Sequence, residues 1–177
     1  MLKKHIKRIK MILEYREFIK DMIEHDLVLS MQNYVQHQNI STLEHSIYVS
    51  YTSYKVSKWL NLNYQSVARG ALVHDFFLYD WHHLEHAEKQ KLWELHGFTH
   101  ANTALQNASL YFDLTDIEKD IVAKHMWPLN WRFPRYKESF LVMLVDKYCS
   151  LREILDHKSH SSIRGLTGMV LASEIAY

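Results

Sequence analysis

STLEHSIYVSYTSYKVSKWL, residues 41–60, reads as one complete helix with its start marked. Ser41 and Glu44 form a capping box, in which the serine oxygen serves the Glu44 amide and the glutamate reaches back to the Ser41 amide. His45 comes one residue later. Val49, Thr52 and Val56 recur four, seven and eleven residues beyond it, so the imidazole points along the inward face. Asn61-Leu62-Asn63 ends the helix.

Helices follow in both directions. Residues 3–24 alternate charged and apolar positions and predict an amphipathic first helix. A short second helix is expected over 27–37, and another over 64–77. Residues 78–98 are aromatic and rich in histidine, and are expected to be irregular, with a short helix near 84–93. Thr99 to Phe112 reads as helix. Thr115 is a second N-cap, leading a helix to about Met126. Residues 127–136 contain both prolines and predict a loop. A long helix is expected over Lys137 to His157 and a last one over 163–175, where Gly165 and Gly168 weaken the pattern. The fold class is all-α: a compact multi-helix bundle in a single domain, 1–177.

Composition agrees. Four glycines and two prolines are too few for a turn-rich β fold in 177 residues. With 47% hydrophobic and 23% charged residues, the chain can bury an ordinary core. A net charge of +1 gives no broad basic field, so nucleic acid is not an expected partner. No apolar run approaches the roughly 18 residues of a membrane span. The N-terminus is basic, but charge recurs through it and no uninterrupted apolar centre follows, so a secretory signal is not expected. One cysteine, Cys149, excludes an internal disulfide and fits a reducing compartment, so a cytoplasmic location is expected. Thirteen histidines are several times the usual number and point to metal or acid–base chemistry.

In ALVHDFFLYDW, residues 71–81, an apolar run meets His74-Asp75 and then a cluster of aromatics. The dipeptide alone means little, because His25-Asp26 repeats it on a surface-like helix end. Context separates the two. His74 falls in phase with Val67 and Ala71. His125 follows Ile121 and Val122 at four and three residues, and Asp146 follows Val142 and Met143 in the same relation. A carboxylate on a core-facing position must be paired or bound to a metal.

The order His45, then His74-Asp75 after ARGALVHD, then Asp146 after LVMLVDK resembles the HD-domain superfamily of metal-dependent phosphohydrolases. The resemblance covers about residues 40–157 and leaves the N-terminal helix, 1–24, outside. That helix is expected either to cap the bundle or to pack on a second subunit of a homo-oligomer. The resemblance implies that His45, His74, Asp75 and Asp146 ligate a divalent metal, one of Mn, Fe, Zn, Co or Ni. Two-metal members add a histidine opening the next helix and one ending the helix after it, and His100 and His125 stand there. His96, on the loop before Gly97, is a rival for the first position and is otherwise expected to face substrate. No glycine-tyrosine-proline signature of the cyclic-dinucleotide phosphodiesterases is present. A mononuclear 5′-nucleotidase type would keep only His45, His74, Asp75 and Asp146.

The activity implied is attack of metal-activated water on the phosphorus of a nucleotide or other small phosphate ester. Asp75 is expected to orient or deprotonate the nucleophile. Arg69 is the favoured cation against the transferring phosphoryl group and Lys147 the next, ahead of Arg132 and Arg135. Asp80 is a candidate general acid. Phe76, Phe77, Tyr79, Trp81, Trp127, Trp131 and Phe133 are candidates for a pocket wall that stacks a base, with Trp127 the substrate contact. The competing class is a non-catalytic helical module whose metal is structural or whose nucleotide is only sensed.

Overall fold

The computed structural model describes residues 2–37, 39–78 and 100–172. Its helices are α1 (Leu2–Ile23), α2 (Asp26–Ser30), α3 (Thr42–Trp59), α4 (Tyr64–Leu72), α5 (residues 100–111), α6 (Asp116–Lys124), α7 (Lys137–Leu155) and α8 (His157–Leu171). Two short antiparallel strands, β1 (Val35–His37) and β2 (Ile40–Ser41), pair ahead of α3. The all-α reading holds. Among the described residues, no helix is long and apolar enough to cross a membrane.

Both capping boxes form. Ser41 and Thr115 each accept from the amide three residues on, and Glu44 and Glu118 return the bond. Helix α3 is the centre of the bundle, buried on most of its circumference, with α4, α7 and α8 packed around it. Small hydroxyl residues on it let neighbours approach closely. Ser50 donates to the Ala68 carbonyl on α4 and accepts from Tyr15 on α1. The face of α1 with Ile12, Tyr15, Ile19 and Met22 is fully buried, so α1 caps the bundle rather than standing free of it.

Three boundaries differ from the sequence reading. The segment expected as helix 27–37 stops at Ser30, makes a 3₁₀ turn over Met31–Asn33 and then extends into β1. Ser41 must be extended to cap α3, and the chain before it folds back to pair with it, Val35 opposite Ser41. Helix α4 ends at Leu72 rather than 77, for a reason given below. Helix α8 starts at His157, six residues before the expected start, because the polar run HKSHSS is helical and the buried His160 hydrogen-bonds the Glu153 carbonyl. The segment 79–99, including the helix expected near 84–93, lies outside the described residues.

A second, smaller core sets the site. Val49, Val67, Ala71, Ile121, Val142, Val145 and Cys149 meet where α3, α4, α6 and α7 converge. Helices α4 and α6 touch at Gly70. A Cβ there would lie 3.0 Å from Ile121 Cδ1 and 3.2 Å from the Glu118 Cα. Gly70→Ala is therefore expected to destabilise the fold by about 1–3 kcal/mol through overpacking, read as a lower urea midpoint at unchanged m-value.

Candidate metal centre

Four imidazoles and two carboxylates converge at one edge of that core: His45 from α3, His74 and Asp75 just past α4, His100 at the start of α5, His125 at the end of α6, and Asp146 from α7. All six are buried. They form two sets whose ligand atoms lie within 4.8 Å of one another, His45 with His74 and Asp146, and Asp75 with His100 and His125.

Helix ends orient two of the rings. His74 Nδ1 is 2.7 Å from the Ala71 carbonyl, and His125 Nδ1 is 2.8 Å from the Val122 carbonyl. In a continuing helix those carbonyls would accept from the backbone of Asp75 and Met126. The imidazole replaces the backbone donor, which is why α4 closes at Leu72 and α6 at Lys124. His74 is thus presented from a helix end, where the sequence reading placed it on a helix face.

The protonation pattern follows. A carbonyl only accepts, so the neutral rings of His74 and His125 carry their proton on Nδ1 and present Nε2 as a lone pair. His45 reaches the same state by another route. Its Nδ1 lies 3.0 Å from both carboxylate oxygens of Glu153, and its Nε2 3.2 Å from Asp146 Oδ1. Among the described residues His74 Nε2 is buried without a hydrogen-bond partner, 3.4 Å from Asp75 Oδ2 and 3.6 Å from Asp146 Oδ1. His125 Nε2 lies 3.3 Å from Asp75 Oδ1 and 2.9 Å from His100 Nε2. Lone pairs facing carboxylates repel unless a proton or a metal cation lies between them. The donor set and its orphaned nitrogen therefore fit a metal ion.

The titration behaviour has the same origin. Burial opposes charge on His45, but Glu153 and Asp146 more than offset it and hold the imidazole well above the ordinary histidine range. His74 is raised too, with Asp75 and Asp146 outweighing burial. Burial works to raise Asp75, yet His74, His125 and His100 pull it well below the usual carboxylate range. Asp146 is lowered in the same way, by His45 and His74 against burial.

Two contributors escaped the sequence reading. Gln36 on β1 donates from Nε2 to Asp75 Oδ2 at 2.7 Å, while its Oε1 accepts from the Thr42 hydroxyl at 3.3 Å, which fixes the amide orientation. Reading 27–37 as helix hid it. Glu153 is fully buried and lies seven residues after Asp146 on the same face of α7. That spacing was a usable signal. Glu153→Gln keeps the shape and removes the charge that braces His45. It is expected to weaken metal affinity 10- to 100-fold, measured by competitive titration against a chelating dye.

Other candidates are placed differently. The Arg69 guanidinium is committed to the Phe18 carbonyl, Asp21 and Glu118, tying α4 to α1 and α6. Its expected alignment with His74 assumed a helix that runs past Leu72. Lys147 is exposed, and its ammonium donates to the His125 carbonyl at 3.1 Å, beside the cluster. Phe76 is core, packed on Phe112 and Tyr111 rather than walling a pocket. Phe77 lies against His100, with ring centroids 6.0 Å apart. Trp127, in the loop after α6, is half-buried and meets Phe133 of the same loop and Phe140 on α7, whereas Trp131 is 95% exposed. Asp80, His96, Tyr79 and Trp81 lie outside the described residues. The chain leaves the site through Leu78 at φ 55, a left-handed conformation that costs a non-glycine residue about 1–2 kcal/mol.

Comparison of the chain with protein-family models, with curated proteins and with solved structures finds no match.

Proposed function

We propose that the protein is a metal-dependent phosphohydrolase of the HD-domain kind, acting on a nucleotide or other small phosphate ester. One observation carries this reading. The two oxygens of Asp75 serve different sets of imidazoles, Oδ2 toward His74 and His45 at 3.4 and 3.9 Å, Oδ1 toward His125 and His100 at 3.3 and 3.6 Å. A carboxylate shared in this way would suit a site for two divalent ions. His45, His74 and Asp146 would hold one ion, and His100 and His125 the other. Mixed imidazole and carboxylate donors suit Mn, Fe, Zn, Co or Ni. When bound, such an ion polarises a phosphoryl oxygen and lowers the pKa of a water.

The chain supplies the rest. Gln36 fixes the Asp75 carboxylate, and Glu153 with the Ala71 and Val122 carbonyls keeps three ring protons on the outward nitrogens. Lys147, held at the His125 carbonyl, sets positive charge beside the cluster, where it offsets charge on the phosphoryl group. We assign Asp80 to proton donation, and His96 and Trp127 to contacts with the ester. A lone buried cysteine fits a cytoplasmic setting.

The test is elemental analysis after metal loading, followed by hydrolysis of p-nitrophenyl phosphate and its bis ester. Two metal equivalents and turnover of one ester are expected. One equivalent would overturn the shared-carboxylate arrangement. No metal under replete conditions, or metal without turnover of either ester, would favour the non-catalytic module. Full activity in Asp146→Ala would overturn the site.

A further inference from the structure

Away from the His/Asp cluster, a groove of about 550 Å³ lies between α1, α3, α7 and α8. That volume is within the range of small-ligand pockets. No residue of the cluster lines it. Its charge is one-sided: Lys7 and Arg8 from α1, Lys55 from α3 and Arg152 from α7 face it, and among the described residues no carboxylate lines it. Arg152 is partly balanced, with Asp156 at 3.3 Å and the Tyr48 hydroxyl at 3.2 Å. Among the described residues, Lys7, Arg8 and Lys55 form no ion pair. Burial and the neighbouring Arg8 hold the Lys55 ammonium below the usual lysine range.

The walls between these cations are aromatic. Tyr48, Tyr51 and Tyr148 face the groove, and Lys55 Nζ sits 4.9 Å from the Tyr51 ring centroid. Cations gathered without counter-charge over apolar walls repel one another, and an anion seated among them removes that repulsion. Tyrosine faces add a surface for a planar ring.

We propose that this groove is a second ligand site, binding a small phosphorylated molecule that carries an aromatic ring, of the nucleotide type. The phosphates lie among Lys7, Arg8, Lys55 and Arg152, and the ring lies against the tyrosines. No candidate metal ligand lines the groove, so the ligand is an effector and not the ester that is hydrolysed. The position suits that role. Tyr48 is three residues past His45 on α3, and Arg152 adjoins Glu153, the residue that braces His45. Binding in the groove does not depend on the phosphohydrolase reading; the role of effector rests on it.

Calorimetric titration of the full chain in EDTA, with ATP as probe, tests it. One ATP per chain is expected, with inorganic pyrophosphate and adenosine each binding at least about tenfold more weakly. Arg8→Glu with Lys55→Glu, which reverses charges that form no ion pair among the described residues, is expected to weaken ATP binding at least about tenfold, at an unchanged melting temperature. Tyr148→Ser is expected to weaken ATP but not pyrophosphate. Asp146→Asn, which alters the cluster alone, is expected to leave ATP binding intact. Absence of ATP binding, insensitivity to the charge reversals, or loss of binding in Asp146→Asn would each overturn the site. Equal binding of pyrophosphate and ATP would overturn the ring-binding half. A single-stranded oligonucleotide bound more tightly than ATP, and lost in the same charge reversals, would overturn the small ligand in favour of nucleic acid.

Discussion

Asp75→Asn is expected to lower turnover of the phosphate ester by about a thousand-fold and to deplete metal from both sets of ligands at once. The two carboxylate oxygens divide the work. Oδ2 takes the Gln36 amide at 2.7 Å and faces His74 at 3.4 Å, and Oδ1 faces His125 at 3.3 Å. An asparagine of the same shape keeps one oxygen, so one set must face an amide NH2 in place of an acceptor. The negative charge is lost to both. Asp146→Asn serves as the contrast, because Asp146 lies with His45 and His74 only. It is expected to empty one set and leave metal in the other. Elemental analysis beside kcat/KM for the two variants separates these outcomes. Full metal content with full turnover in Asp75→Asn would remove Asp75 from the centre.

Chelation is expected to lower the melting temperature by about 8–16 °C relative to protein held at free metal a thousand times Kd, an effect of about 4 kcal/mol. With that free-metal concentration set at pH 6 and then held constant, the difference should widen as pH rises from about 6 to 8. His45 and His74 are held above their ordinary value in the metal-free fold. A group raised on folding contributes stability that is complete below its unfolded pKa of about 6.5 and fades as pH climbs through the folded value. Asp75 and Asp146 are lowered, so their contribution is complete above about pH 4 and is lost only on strong acidification. The metal-free protein should therefore be most stable between about pH 4 and 6.5. The loaded protein gains on the alkaline side, where protons no longer compete for Nε2. Calorimetric scans with and without chelator across this range test it. A gap that narrows toward pH 8 would contradict the proton-for-metal exchange.

Much of this centre was legible in the chain, because its residues announce themselves by phase. His45 and Asp146 each lie one helical turn from buried valine, Val49 and Val142, and a polar group on such a face needs a partner. His125 also lies in phase with Ile121 and Val122, whereas His100 was legible only beside the pattern of the family the sequence resembles, and the fold brings both to the same place. What stayed hidden depends on contacts remote in sequence. Gln36 reaches Asp75 across 39 residues from a strand that local propensity did not mark. Arg69 looked available from its position near His74, but Asp21, 48 residues upstream, takes it. The end of α4 was misplaced because its stop signal is a histidine side chain, which resembles no glycine or proline breaker.

That manner of stopping has an electrostatic consequence. Helices α4 and α6 both finish at the cluster, each through a histidine bonded to a carbonyl three residues back. A helix end of this kind carries about half a negative charge from its aligned peptide dipoles. Two such ends add to two carboxylates in one small volume. Once the His45 and His74 imidazoles are neutral, at alkaline pH, the bare site is thus anion-repelling where the proposed ester would bind, and inorganic phosphate is expected to stay there only after a dication has reversed the sign. On the proposed reading, cation before ester is the expected order of arrival, and it follows from the direction in which two short helices run.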